Sequence, residues 1–296
     1  MMPDHLIRTA ATLGAVRNRY GNLDRVRALD PRQEYVEIYR TMVRYEFPWD
    51  LKLGLNLAFN RTFSTPTVAA VLVGTGELTG RTQRRVDDTG LLMFEIVLHG
   101  FDHPRGRAAV RRINQMHRPY RQVSPDEFVY VLACLVIVPL RWLDRYGWRR
   151  PCCHEREASY RFYRELGERL NVSGFPDSLA ALTEWFDAYD RDHLRPNQHA
   201  ATIERATRTL LLTRLPRAVG PLGNALVSAL YDERLRAATQ VPDPAWPIRA
   251  GLHAGLRTRA AILRHLARPR TVGMFEDGIH TRSYPDGYEI SQLGPS

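Results

Sequence analysis

The chain has 296 residues, of which 44% are hydrophobic and 25% are charged, a composition typical of an ordinary globular protein. A chain of this length can bury a large core without disulfides or structural metals. The formal net charge is +10, but the basic residues are nearly all arginine and alternate with acidic residues along helical segments. Lys52 is the only lysine. A nucleic-acid footprint would be a basic stripe with stacking aromatics, so we expect no nucleic-acid partner.

The sequence also bears on cellular location. Three cysteines, two of them adjacent, do not make the even framework of a secreted disulfide-rich domain. The first twenty residues carry charges throughout and lack the apolar stretch of a signal peptide. The longest apolar run, Phe128–Leu140, is too short to cross a bilayer and is typical of a core helix. We therefore expect a cytoplasmic protein, for which peripheral membrane contact stays open.

Apolar residues recur with helical spacing along most of the chain, which predicts about ten to twelve helices and no secure strand. The alternating leucines of Trp49–Phe59 also fit a strand, but no hairpin partner is nearby, so we favour a helix. The sequence thus predicts an all-α fold and one large domain over residues 1–296, with a peripheral segment at 1–32 and an irregular one at 268–296. In chain order, helices are predicted for Asp4–Arg19, Gln33–Tyr45, Trp49–Phe59, Pro66–Val73, Thr79–Leu98, Arg105–Met116, Pro125–Leu143, Glu155–Arg169, Ser178–Tyr189, Gln198–Leu212, Pro216–Tyr231 and Ile248–Ala267, and Asn22–Pro31 is predicted to be polar and rich in turns.

Two neighbouring predicted helices carry the main candidate site. Arg85 and Thr89 are four residues apart, so they lie one turn apart on the same helix face. His117 follows Val110 and Ile113 on the apolar side of the next helix. A histidine there is either a hydrogen-bonded core residue, which the spacing alone favours, or a metal or haem ligand. Arg85 and Thr89 have structural alternatives too, an ion pair and a hydroxyl bonded to its own helix.

Three other motifs have simpler interpretations. His99 stands at a helix end, where a cation favours the helix dipole, and it is the second candidate for an iron ligand. The run Cys152–Glu155 suggests zinc, but adjacent cysteines cannot easily chelate one ion and no second cysteine pair exists. We therefore expect Cys153 or His154 to begin a helix. The glycines at 74 and 76 lack a preceding strand and a third glycine, so they predict a helix end.

The ordered set of motifs resembles the superfamily of MpaB and latex-clearing-protein oxygenases. The resemblance covers about Tyr35–Pro295, and the chain is more similar to the MpaB side than to the rubber oxygenases. The motifs are Arg85-x-x-x-Thr89, Phe94-Glu95-Ile96, His99-Gly100, Asn114-x-x-His117, Phe128-Val129-Tyr130-Val131-Leu132, Pro139-x-Arg141-Trp142 and Tyr284-Pro285-x-Gly287-Tyr288.

This resemblance implies a globin-like helical core around one haem b, with His117 as the proximal iron ligand. It places Arg85 and Thr89 in the haem pocket as cofactor-binding and catalytic residues. An arginine suits the haem propionates, and a threonine hydroxyl suits an iron-bound oxygen species or a water. The implied partners are dioxygen and a hydrophobic isoprenoid, terpenoid or prenylated substrate, and the implied reaction is oxygenation or oxidative C=C cleavage.

The chain departs from the rubber-cleaving relatives at one position. They can carry a lysine just before the threonine as a distal iron ligand, whereas this chain has Asp88, and Lys52 is far away in sequence. Asp88 is then either a general base or an ion-pair partner of Arg84 or Arg85. Glu95, two turns further along, either reaches the pocket or forms an ordinary ion pair. The rival function is a non-catalytic helical protein that binds haem or lipid.

Overall fold

The computed structural model describes residues 18–120, 122–212, 220–275 and 281–295. Within these residues the protein is helical, and its one β-type contact is an isolated bridge between Thr281 and Tyr284. The all-α prediction is confirmed. None of the described helices combines the length and apolar character needed to cross a membrane. The α-helices are α1 (Gly21–Ala28), α2 (Tyr35–Thr41), α3 (Pro48–Thr62), α4 (Pro66–Thr75), α5 (Glu77–Gly80), α6 (Thr82–His99), α7 (Pro104–His117), α8 (Pro125–Tyr146), α9 (Cys153–Arg169), α10 (Leu179–His193), α11 (Gln198–Leu212), α12 (Gly220–Leu230), α13 (Glu233–Thr239) and α14 (Trp246–His265).

Local sequence explains several helix ends. The Ser124 hydroxyl accepts a 3.2 Å hydrogen bond from the backbone N–H of Glu127, whose carboxylate accepts one of 2.9 Å from the Ser124 N–H. This capping box begins α8 as predicted. Gly76 has φ +69° and ends α4, which confirms the predicted helix end. Thr65 precedes α4, but its side chain makes no capping hydrogen bond.

The cysteine-rich run begins a helix, as expected. The Glu155 carboxylate accepts a 2.8 Å hydrogen bond from the backbone N–H of Cys152, and α9 starts at Cys153. Cys153 is exposed, and Nδ1 of His154 lies 3.2 Å from the carbonyl oxygen of Val26. These contacts give the run a structural role at the helix N-terminus.

Two helices of about two turns were not predicted. Residues 22–31 were expected to be turn-rich, yet α1 forms there because Val26 packs in a buried cluster with Ile38 and Ala158. The other is α13, which begins where the Asp232 side chain accepts a 2.9 Å hydrogen bond from the N–H of Leu235. Each is about two turns long, so tertiary packing must supply most of its stability. The predicted helix Asp4–Arg19 lies almost wholly outside the described residues, as does the start of Pro216–Tyr231.

Helix α8 lies at the centre of the core and packs against α3, α9 and α10. The approach to α3 is close because Gly54 faces Pro139: a Cβ atom at Gly54 would lie 2.9 Å from the Pro139 Cα. The helical interpretation of Trp49–Phe59 is confirmed by α3. One large hydrophobic cluster contains residues from α2, α3 and α14 and from the C-terminal segment, residues 281–295.

Helices α6 and α7 form a tight antiparallel pair. Gly100 follows α6 with φ +82°, and a Cβ atom at Gly106 would lie only 1.9 Å from the Gly100 carbonyl oxygen. Glycine at position 106 therefore allows the start of α7 to contact the turn after α6 directly. This pair sets the position of the candidate site residues on α6 relative to the end of α7.

The C-terminal segment runs along this helix pair. Ser283 Oγ donates a 2.7 Å hydrogen bond to Asp87, and the Tyr284 hydroxyl donates one of 2.6 Å to Asp88. Further along, the Arg112 Nε donates to the carbonyl oxygen of Leu293 at 2.6 Å. Residues near the end of the described chain are thereby held against α6 and α7.

Candidate functional site

The structure brings Arg85, Thr89 and His117 to one cavity of about 230 Å³. Arg85 and Thr89 project from α6, and His117 is the last residue of α7. Aliphatic and aromatic side chains from four further helices, α3, α4, α8 and α9, form most of the remaining wall. They include Val68, Leu72, Phe128, Val131, Leu135 and Leu166. The cavity is therefore an apolar chamber with a small polar group on one side.

His117 is held as a neutral imidazole. Burial, and then the positive charge of Arg85, lower the pKa of His117 to about 4. Its ring lies 5.7 Å from the ring of Phe128, and no residue in the described parts of the chain forms a hydrogen bond with it. A neutral imidazole keeps a nitrogen lone pair that can bind a metal.

Arg85 and Thr89 bond to each other. The Arg85 guanidinium donates to the Thr89 hydroxyl, which in turn donates to the Arg85 carbonyl oxygen at 3.0 Å. The hydroxyl bonded to its own helix is thus the arrangement that forms. Burial lowers the pKa of Arg85, and the charges of Asp88 and Glu77 oppose that effect. Within the described ranges no carboxylate makes a salt bridge with Arg85, so the cavity contains a guanidinium that can accept an anionic partner.

Asp88 does not line this cavity, in contrast to its interpretation as a base acting there. Its side chain is 2% exposed and accepts the 2.6 Å hydrogen bond from the Tyr284 hydroxyl. The ion-pair alternative is closer to what is observed, because Asp88 favours the charged form of Arg85 without a direct salt bridge. Its first role is to hold the C-terminal segment.

Glu95 and His99 form a separate polar cluster. Glu95 is buried and accepts hydrogen bonds of 2.6 and 2.7 Å from Arg105 and one of 2.5 Å from the Tyr288 hydroxyl. The ordinary ion-pair interpretation of Glu95 is thus the observed one. His99 Nε2 lies 3.5 Å from Glu95, and the His99 ring stacks on His103. Neither Glu95 nor His99 lines the cavity of His117.

A second, more open cavity of about 730 Å³ is also lined by His117. It shares Tyr120 and Phe128 with the first cavity, and Arg118 and Asn171 add polar groups. Asn114 also borders it and donates a 2.9 Å hydrogen bond to the Arg169 carbonyl oxygen, which joins α7 to the end of α9. His117 therefore borders both the apolar cavity and a more open, more polar one.

Sequence reasoning missed several residues that line the first cavity. Tyr120 follows His117 by three residues, a spacing that could have indicated it. Glu77 and Pro295 also contribute to the wall, but their sequence surroundings carry no such indication. The family-like motif at Tyr284 and Tyr288 proves to be the part of the C-terminal segment that bonds to α6.

The sequence also matches known proteins. A family model described as ER-bound oxygenase mpaB/B'/rubber oxygenase, catalytic domain, matches residues 53–266. The chain is 28% identical over 267 residues to ER-bound oxygenase mpaB' of Penicillium brevicompactum, a match that covers 83% of this chain and 62% of that protein. It is 27% identical over 224 residues to ER-bound oxygenase mpaB of Penicillium roqueforti, covering 70% and 75% respectively.

The chain thus spans less than two thirds of the length of mpaB', while the family model covers well over half of the chain. The matched range contains α6 and α7, and with them Arg85, Thr89 and His117. This chain belongs to the mpaB and rubber oxygenase family, in which it matches the catalytic domain.

Proposed function

We propose that this protein is a haem b-dependent oxygenase that acts on an apolar substrate of the isoprenoid, terpenoid or prenylated class. The observation that carries the proposal is the His117 imidazole, which is neutral and has no hydrogen-bond partner among the described residues. It shares an apolar cavity with Arg85, a guanidinium without a carboxylate partner there. A free imidazole nitrogen is a common axial donor to haem iron, and a guanidinium in the same cavity can pair with an anionic propionate.

The side chains present fit haem b by their chemistry. A neutral histidine on a helix is a common axial iron ligand, and His117 would supply that bond. The planar guanidinium of Arg85 matches a carboxylate in charge and shape. Bound haem would supply the redox chemistry that activates dioxygen. No Cys-x-x-Cys-His motif occurs in the sequence, so we expect the haem to be non-covalently bound.

The other residues would position and shield the reactants. Thr89 holds the Arg85 side chain against α6 and so fixes the direction of its free N–H groups. Val68, Leu72 and Leu135 would give an apolar surface for a hydrocarbon chain. The relatives are named oxygenases, and this supports the same reaction class for this chain.

The cofactor test uses the purified protein, expressed with an ample haem supply. We expect a Soret band and haem that leaves the protein on denaturing extraction. His117→Ala should lose most of the haem or keep it with an altered spectrum, while far-ultraviolet circular dichroism remains helical. His99→Ala is the matched control and should change the spectrum much less. A wild type without haem, or a His117→Ala protein with the wild-type spectrum, would contradict the proposal.

The activity test separates an oxygenase from a non-catalytic haem- or lipid-binding protein. The haem-loaded protein is incubated with a panel of isoprenoid chains, with and without an electron donor, while dissolved oxygen is recorded. Oxygen uptake matched by an oxygenated or chain-cleaved product supports the proposal. Spectral shifts on substrate addition without any oxygen uptake would identify a binding protein instead.

A further inference from the structure

The last turn of α14 and the residues that follow it, 262–272, are called here the basic end of α14. This segment carries exposed aliphatic side chains. Ile262 is 49% exposed, Leu266 77% and Val272 55%. Ile262 and Leu266 are four residues apart, and the Leu266 N–H bonds to the Ile262 carbonyl oxygen at 2.8 Å, so the two lie one turn apart. Large apolar side chains that neighbour each other in solvent often mark an interaction site.

The same stretch is strongly cationic. No acidic residue occurs between Asp243 and Glu276, whereas that interval contains six arginines. Arg264, Arg268 and Arg270 are all exposed. Across the described part of the chain, none of the three forms an ion pair or a side-chain hydrogen bond. Exposed aliphatic groups and free guanidinium groups therefore share one short segment.

The fold accounts for only part of this pattern. A cation in the last turn of a helix is favourable because of the helix dipole, which explains Arg264. Arg268 and Arg270 come after the helix ends at His265, so the dipole does not require them. The packing of α14 on its neighbours uses other residues, including the buried Leu256 and the partly buried Leu252 and Leu263.

We propose that the basic end of α14 docks on the surface of an anionic lipid bilayer. Ile262 and Leu266 would enter the boundary between headgroups and acyl chains, and the three arginines would contact lipid phosphates. Basic amphipathic helix ends with exposed aliphatic residues bind membranes in this way. Docking of a second copy through the same patch is disfavoured, because it would bring two sets of three free arginines together.

The hydrogen bonds that attach this segment to the rest of the protein are compatible with membrane docking. The Arg19 Nη1 donates a 2.5 Å hydrogen bond to the Ala267 carbonyl oxygen, and the Met274 N–H donates to the Arg44 carbonyl oxygen at 3.0 Å. Both ends of the stretch are thus held to the body of the protein, while the side chains between them face outward. The inference needs neither haem nor catalysis, so it stands apart from the proposed function.

The test is flotation of the full chain with phosphatidylcholine vesicles, with and without phosphatidylserine. We expect binding to the vesicles that contain phosphatidylserine, weakened by added salt. Replacing Arg264, Arg268 and Arg270 by Gln should weaken binding by roughly a hundredfold, since each basic residue near such a surface contributes about one factor of five. The double change Ile262→Ser and Leu266→Ser should also abolish flotation.

Matched controls test whether binding depends on this patch or on any exposed arginine or leucine. Arg111, Arg191 and Arg205 are also exposed arginines, on α7, α10 and α11, and their replacement by Gln removes the same charge elsewhere. Leu222, 49% exposed on α12, gives the control Leu222→Ser. Both controls should float like the wild type, and all variants should keep the wild-type circular dichroism spectrum.

Retention on a heparin column distinguishes a bilayer from a nucleic acid or another polyanion. The Ile262/Leu266 variant should be retained like the wild type, because its charges are intact. Flotation that is unaffected by this variant, equal loss in the control arginine variant, equal binding to pure phosphatidylcholine or no flotation at all would each overturn the inference. Haem content is read separately from the Soret band, so failure here leaves the cofactor proposal unaffected.

Discussion

Arg85 and His117 share one apolar cavity, where burial and then the charge of Arg85 lower the pKa of His117 to about 4. The two side chains come from different helices, so this coupling depends on how closely α6 and α7 pack. Burial and this coupling together keep the imidazole neutral at physiological pH, which is the state that binds a metal.

Removing the charge of Arg85 should raise the pKa of His117 in the haem-free protein. We expect Arg85→Met to move the pKa upward from about 4 but to leave it below the ordinary histidine value of about 6.5, since burial is the larger cause. A nuclear magnetic resonance titration of the His117 ring protons measures this. Arg84→Met, which removes a charge from the exposed neighbour, is the control and should shift the pKa less. An unchanged pKa in Arg85→Met would show that the two groups are not coupled.

The close contact between Gly106 and Gly100 predicts how adding a methyl group at position 106 would change the stability of the protein. Gly106→Ala should destabilise the protein by at least about 2 kcal/mol, because the new Cβ overlaps a backbone oxygen that cannot move freely. Gly90→Ala is the matched change on α6, where a Cβ would contact nothing within 4 Å. It should stabilise the helix by up to about 1 kcal/mol. Urea unfolding measures both, and equal effects of the two changes would refute the contact.

The Glu95 cluster predicts a loss of stability in acid. Burial alone would raise the pKa of Glu95, but hydrogen bonds from Arg105 and Tyr288 outweigh it and lower the pKa below 4.5. The unfolded chain then takes up a proton at a higher pH than the folded chain does. The contribution of Glu95 is therefore complete above about pH 4.5 and is lost as the pH falls through the folded pKa. Unfolding free energies of wild type and Glu95→Gln should converge as the pH falls below about 4.5 and through the folded pKa of Glu95, and parallel curves would contradict this.

Arg61 and Arg141 both lie over the Phe186 ring, but Arg61 should be far more important for stability. Arg61 is buried, bonds to Asp190 at 2.7 and 2.8 Å and reaches Asp232 at 2.6 Å. Arg61→Met removes the buried cation of Asp190, leaves it only the more exposed Arg234 at 3.5 Å, and should cost about 3–5 kcal/mol. Arg141 also lies over the Phe186 ring, but its ion pair with Asp187 is exposed.

Arg141→Met is therefore the control, and it should cost less than about 1 kcal/mol. Thermal unfolding of both variants gives the comparison. Arg61→Lys should recover only part of the loss, because an ammonium cannot bond to both carboxylates with the geometry of a guanidinium. Full recovery with lysine would mean that charge alone matters at this position.

The sequence was sufficient for the features that depend on local spacing. The i, i+4 relation placed Arg85 and Thr89 on one face of α6, and the capping box at Ser124 located the start of α8. The same information could not locate the partner of Asp88. Asp88 lies three residues after Arg85, so spacing alone allowed it to reach the cavity. Its actual partner, Tyr284, is 196 residues away, and no local pattern indicates such a contact.

The short helices show a related limit. Neither α1 nor α13 has enough residues to show a clear helical period, and each forms because a few buried side chains find partners elsewhere in the fold. Val26, for example, is buried against Ile38 and Ala158. The sequence likewise could not predict that α4 and Pro295 line the cavity, because only the tertiary arrangement brings them close to His117.

The hydrogen bond between Tyr284 and Asp88 also sets an order of events during synthesis. The ribosome completes α6 and α7 long before it adds the residues that bond to them. At about 5–20 residues per second, the 196 residues between Asp88 and Tyr284 take roughly 10–40 s to make. Throughout that interval the wall that Pro295 contributes to the cavity is missing. On the nascent chain, the wall of the site is therefore complete only after Pro295 has been added.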